Sequence, residues 1–177
     1  MNKHKLLIWP HPLLNFHTSN LDSSEFGSQE LKDLVVSMFD LLHKYGGIGL
    51  AANQIGLNKN LFVADLSSVI DPQVFGFTKP KVFINPVIQS FNTASELEEG
   101  CLSFPGVTQK VKRHYNITVT AYDIDGNEFT EEANGLYAHV LQHEMEHLNG
   151  ITLYNHMSAL RRDMTKRKIN KLQKYLK

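Results

Sequence analysis

The pattern His143-Glu144-Met145-Glu146-His147 constrains this chain more than any other stretch. In an α-helix, positions four apart lie on one face, one turn above the other, so two imidazoles at this spacing can grip one metal ion. Glu144, beside the first histidine, reaches the same side and can handle a proton on a water held there. His139 shares that face, four residues before His143. It stands about 12 Å along the helix axis from His147. The three rings cannot easily converge, so His139 is expected to line a pocket beside the ion. A catalytic ion needs a third protein ligand and one open position. Cys101, the single cysteine, lies in a polar segment between Gly100 and Ser103 and is the candidate. Its alternative role is that of a small buried hydrophobe.

A length of 177 residues predicts one domain, 1–177, with an ample core. The net charge is zero with histidine neutral, so the whole molecule has no bulk preference for nucleic acid or membrane. Neither DNA nor a membrane is an expected partner. One cysteine excludes an intramolecular disulfide and points to a reducing compartment. The apolar run Leu6-Leu7-Ile8-Trp9 is too short for a signal-peptide core. No segment approaches the roughly 20 apolar residues that span a bilayer. A cytoplasmic location is the expectation.

Pro10 and Pro12 make residues 5–14 an extended entry, and 15–27 read as a loop. Ser28 can cap a helix in which Leu31, Leu34, Val35, Met38, Leu41 and Leu42 recur at helical steps, ended by Gly46-Gly47. Small residues crowd Gly47-Ile48-Gly49-Leu50-Ala51-Ala52-Asn53-Gln54, which suits a backbone that another group approaches closely, or a tight turn under the core. Residues 61–65 and 81–89 predict strands, with Pro86 at a bulge or edge. Between them, a surface loop over 67–80 contains Asp71-Pro72 and Gly76. Alternation of Val111, Arg113, Tyr115, Ile117, Val119 and Ala121 predicts a strand over 110–122, and Asp125-Gly126 turns the chain back through 128–130. The histidine helix is expected from a cap at Asn134-Gly135 to Asn149, with Gly150 as its left-handed stop. A last helix covers about 158–176. The fold class is α+β: antiparallel sheets packed around a central metal-binding helix, with an N-terminal and a C-terminal helix.

Three segments carry a family resemblance. Gly47 to Gln54, Glu99-Gly100-Cys101-Leu102-Ser103, and Gln142-His143-Glu144-Met145-Glu146-His147-Leu148-Asn149-Gly150 resemble the three signature motifs of the peptide deformylases, in the family's order. The resemblance implies removal of the N-formyl group from the N-terminal formylmethionine of newly made polypeptides, with release of formate. It implies Cys101, His143 and His147 as ligands of one divalent ion, natively Fe²⁺, with Zn²⁺, Ni²⁺ or Co²⁺ able to replace it. Glu144 becomes the general acid and base, while the Gln54 amide and the Leu102 backbone N–H become oxyanion donors. Ile48, Gly49 and Gly100 would pair with the substrate backbone. Ile48, Leu136, His139 and Val140 would line the methionine pocket, and Glu99 with Arg113 would brace the cysteine loop.

Three positions depart from the family's pattern. His139 stands where an apolar residue is commoner, which implies a narrower or more polar pocket. Glu146 replaces a usual aspartate, and Thr108 a frequent arginine. Residues 158–177 hold eight lysines or arginines against one acid, Asp163. This basic C-terminal helix is either a solvated face or a ribosome-facing surface. Two alternatives stand beside deformylation: a metalloendopeptidase, which shares the helix motif, and a non-catalytic relative that binds peptides or ribosomes.

Overall fold

The structure, a computed structural model, describes residues 4–69 and 79–175. Most of the expected loop over 67–80, including Asp71, Pro72 and Gly76, lies outside the described residues, as does Leu176 of the last helix.

Ser28 Oγ accepts the Leu31 N–H at 3.2 Å and starts α1 (Gln29–Lys44), which buries all six apolar residues of its predicted stripe. Gly46, at φ 64°, takes the left-handed conformation that ends it. Five strands follow: β1 (Gly49–Ala51), β2 (Leu61–Ala64), β3 (Lys81–Gly100), β4 (Thr108–Tyr122) and β5 (Glu128–Asn134). They form one antiparallel sheet in chain order. Then come α2 (Gly135–Leu148) and α3 (Ala159–Tyr175).

The run Leu61-Phe62-Val63-Ala64 is apolar throughout because both sheet faces are covered at that point. Side chains alternate across a strand. Leu61 and Val63 pack with Leu34, Met38 and Leu42 of α1. Phe62 and Ala64 pack with Tyr137, Leu141 and Met145 of α2. The histidine helix is thus bedded on the inner sheet face, and nearly every residue of it is buried. A third cluster joins Trp9, Leu14, Phe104, Val107 and Val111 to Leu153, Met157 and Ile169.

The strands differ from expectation in two places. β1 was not anticipated as a strand; Gly49, Leu50 and Ala51 pair with Ala64, Val63 and Phe62. The third strand runs to Gly100 rather than to 89, paired with β4 as far as Gly100–Thr108. Its outer half is mostly exposed, so no apolar alternation marks it, and backbone pairing alone defines it. Register shifts fall between Ile84 and Val87, at Pro86, and between Ile88 and Ser90. Asn134 occupies the N-cap position of α2 but makes no side-chain capping bond. The stop at Gly150 is as expected, at φ 71°. In α3 Ile169 is buried, whereas Leu160, Met164 and Leu172 are exposed.

Candidate metal centre

Five polar residues of α2 are buried: His139, Gln142, His143, Glu144 and His147. Burying polar groups costs free energy unless each finds a partner. On this helix the partners identify the site. The ligand atoms of Cys101, His143 and His147 all lie within 4.8 Å of one another. Cys101 Sγ is 3.1 Å from His147 Nε2. His143 Nδ1 faces Glu99 Oε2 at 2.9 Å, which leaves its Nε2 for the convergence point. Donors around a common tetrahedral ion, at bond lengths of about 2.0–2.3 Å, stand about 3–4 Å apart. One thiol and two imidazoles at this spacing fit one divalent ion.

Gln54 comes from the 3₁₀ turn Ala52–Ile55, just after β1. Its Oε1 accepts the Ala51 N–H at 2.8 Å, which turns Nε2 toward Ser103 Oγ at 3.2 Å and Cys101 Sγ at 3.6 Å. The amide is therefore aimed as a donor. Glu144 is 4% exposed, and its Oε2 has no hydrogen-bond partner among the described residues. Burial pushes its carboxyl up to about 7, against the opposing attraction of His143 and Arg113. A side chain at Gly49 would collide with the Glu144 carboxylate, and one at Gly47 with Leu102 and Leu42. The small residues of the octapeptide thus make room for the site.

Glu99 is the polar hub. Its Oε1 accepts from Arg113 Nε at 2.5 Å and engages His139 Nδ1 at 2.9 Å; its Oε2 accepts from Arg113 Nη2 at 2.9 Å and engages His143. Burial alone would raise this carboxyl, but the hydrogen bonds from His139, His143 and Arg113 hold it well below the usual carboxylate range. Arg113 also reaches Glu146 Oε2 at 3.1 Å, which His156 Nε2 meets at 2.8 Å. Gln142 joins both backbone groups of His114, taking its N–H at 3.0 Å and donating to its carbonyl at 2.8 Å. The contacts of Ser95, Gln142 and His156 were not anticipated; their residues lie far apart in sequence and carry no spacing signal.

A cavity of about 740 Å³ opens beside the three donors. Its walls include Ile48, Gly49, Gly100, Leu136, His139 and Val140, together with Cys101, Leu102, His143 and Glu144. The His139 nitrogens engage Ser95 Oγ at 2.5 Å and Glu99 Oε1 at 2.9 Å. They are therefore occupied within the protein, and the ring adds little free polarity to the cavity. Thr108 lies at the rim, its hydroxyl donating to Glu98 at 2.7 Å. Arg161 of α3 donates to the Thr108 carbonyl at 2.9 Å, and Lys168 to that of Gly106. Arg162 binds the carbonyls of Tyr154 and Asn155, and Arg167 pairs with Asp163. Half of the basic residues counted from the sequence therefore have partners inside the chain.

A sulfur and two imidazoles converge beside a buried carboxylate and an aimed amide, at the edge of an apolar cavity. That arrangement, on this α+β frame, defines a metal-dependent hydrolase. The sequence matches the family described as polypeptide deformylase over residues 3–163. It is 40% identical over 170 residues to peptide deformylase 1 of Shewanella oneidensis, covering 96% of this chain and 95% of that protein. A peptide deformylase of Legionella pneumophila has a TM-score of 0.88 at 34% identity, covering 98% of this chain and 96% of the other. That of Ehrlichia chaffeensis has a TM-score of 0.89 at 30% identity, covering 97% of each chain. The chain belongs to the polypeptide deformylase family. Its reaction is metal-dependent hydrolysis of the N-formyl group from formylmethionyl peptides, releasing formate.

Proposed function

We propose that Cys101, His143 and His147 hold one divalent ion, Fe²⁺ in the cell, and that Glu144, Gln54 and Leu102 carry out deformylation around it. The convergence of the three donors within 4.8 Å supports the ligand set. The preference for Fe²⁺ rests on the family resemblance, because thiolate and imidazole also suit Zn²⁺, Ni²⁺ and Co²⁺. When bound, such an ion lowers the pKa of a water from about 15.7 toward about 7 and polarises a carbonyl oxygen. Glu144 takes the proton as the water oxygen adds to the formyl carbon. The Gln54 amide and the Leu102 N–H donate to the formyl oxygen as its negative charge develops. Glu144 then returns the proton to the amine nitrogen, the C–N bond breaks, and formate leaves.

The peptide lies extended between Ile48-Gly49 and Gly100, pairing through backbone groups and so tolerating many sequences. Its methionine side chain enters the cavity bounded by Ile48, Leu136, His139 and Val140. The test is metal analysis and product analysis of protein purified without oxygen. About one Fe²⁺ per chain is expected, with formate released from formyl-Met peptides faster than from formyl-Ala peptides and no internal bond cut. Chelation should abolish turnover, and Co²⁺ or Ni²⁺ should restore it. Internal cleavage instead would favour a metalloendopeptidase, and metal-free protein of full activity would end the proposal.

The same reading gives a single catalytic domain acting in the cytoplasm on nascent peptides, docked to ribosomes through the basic helix. Lys166, Lys171 and Lys174 support the docking, being exposed and, among the described residues, outside the hydrogen bonds and ion pairs that hold Arg161, Arg162, Arg167 and Lys168. Changing these three to glutamate should weaken ribosome co-sedimentation at low salt and leave turnover of a short formyl peptide intact. Unchanged, salt-sensitive binding would remove the docking role.

A further inference from the structure

The two histidines of α2 are held unequally. His143 has Glu99 against its Nδ1. The His147 ring is fully buried, and its Nδ1 has no partner among the described residues. An imidazole that gives Nε2 to a metal keeps its proton on Nδ1, and metal-binding histidines nearly always donate that proton onward. A buried donor without an acceptor is costly.

Asn53 is the other half of this imbalance. It is 2% exposed, on the turn that also carries Gln54. Its Nδ2 donates to the backbone carbonyl of His147 itself, while its Oδ1 has no partner among the described residues. One residue thus holds an orphaned donor and its neighbour an orphaned acceptor, and a hydrogen bond already joins the two. The chemistry described above gives Asn53 no part.

We propose that Asn53 is the positioning residue of His147. Its Nδ2 fixes the last turn of α2, and its Oδ1, unpaired in the structure, is the acceptor for the Nδ1–H when Nε2 is given to an ion, the part Glu99 already plays for His143. The two ligands then differ in kind: one leans on a carboxylate, the other on a neutral amide that adds no charge. This inference rests on the ligand set proposed above.

The test uses the full chain, as wild type, Asn53→Ala and Asn53→Asp. Zn²⁺ dissociation constants are measured by chelator competition, and absorption spectra are recorded with Co²⁺ bound. Asn53→Ala should weaken Zn²⁺ binding about 10–100-fold and alter the Co²⁺ spectrum. Asn53→Asp keeps the acceptor and loses the donor, so it should restore tight binding even as thermal stability falls. A folded Asn53→Ala protein with wild-type Zn²⁺ affinity and an unchanged Co²⁺ spectrum would overturn the role. So would an Asn53→Asp protein that binds Zn²⁺ as weakly as the alanine variant. If wild type binds no Zn²⁺, the ligand set itself fails; if wild type and alanine bind alike, only the role of Asn53 does.

Discussion

Replacing Glu144 with glutamine should lower kcat by about 10²–10⁴-fold while one divalent ion remains bound. The amide has nearly the same shape, so packing against Gly49 survives, but it can neither accept the water's proton nor return it. The environment is matched to both transfers. Burial raises the carboxyl to about 7, close to the pH at which a group accepts and releases a proton with equal ease. Oε2 is left without a competing hydrogen bond among the described residues. Formate release and metal content, measured on the same preparation, separate loss of the base from loss of the ion. A metal-loaded variant with near wild-type turnover would remove Glu144 from the reaction.

Arg113→Met should destabilise the fold by about 3–5 kcal/mol, read as a lower urea midpoint at unchanged slope. The Arg113 side chain is 3% exposed and binds both Glu99 and Glu146. Its removal leaves two largely buried carboxylates without their shared cation, with burial opposed only by His139 and His143 on Glu99 and by His156 on Glu146. An exposed ion pair would cost only about 0–1 kcal/mol, and a loss that small would show the network to be dispensable. Metal affinity should fall as well, because Glu99 holds the ring of His143. Paired substitution of Arg113 and Glu99 by apolar residues should recover part of the stability but not the metal affinity.

The sequence was most readable where a local period coincided with burial. The i, i+4 histidines lie on one helix, and α1 buries the six residues its stripe predicted. The polar neighbours of Cys101 argued against an inert core cysteine without deciding it, and in the structure its thiol stands beside His147. The outer half of β3 was hidden because one face is solvated and the other meets α2 through the polar Ser95 and Glu99, so no apolar alternation marks a strand there. The supporting contacts were hidden for a different reason. Ser95 and His139 are separated by 44 residues, and Gln142 and His114 by 28; only the fold brings them together. The charge of α3 was legible only as a count, since counting cations does not show which of them already bind backbone carbonyls.

The outer half of the β3–β4 ribbon meets α2 through Glu99, Ser95, Arg113 and the doubly bonded Gln142–His114 pair. A greasy contact tolerates a slide of an ångström with little change in energy; a hydrogen bond does not, because it depends steeply on distance and angle. The strand that delivers the thiol is therefore keyed to the helix that delivers the imidazoles, tooth into notch. The interval between sulfur and nitrogen is set by the joint rather than by whatever fills it.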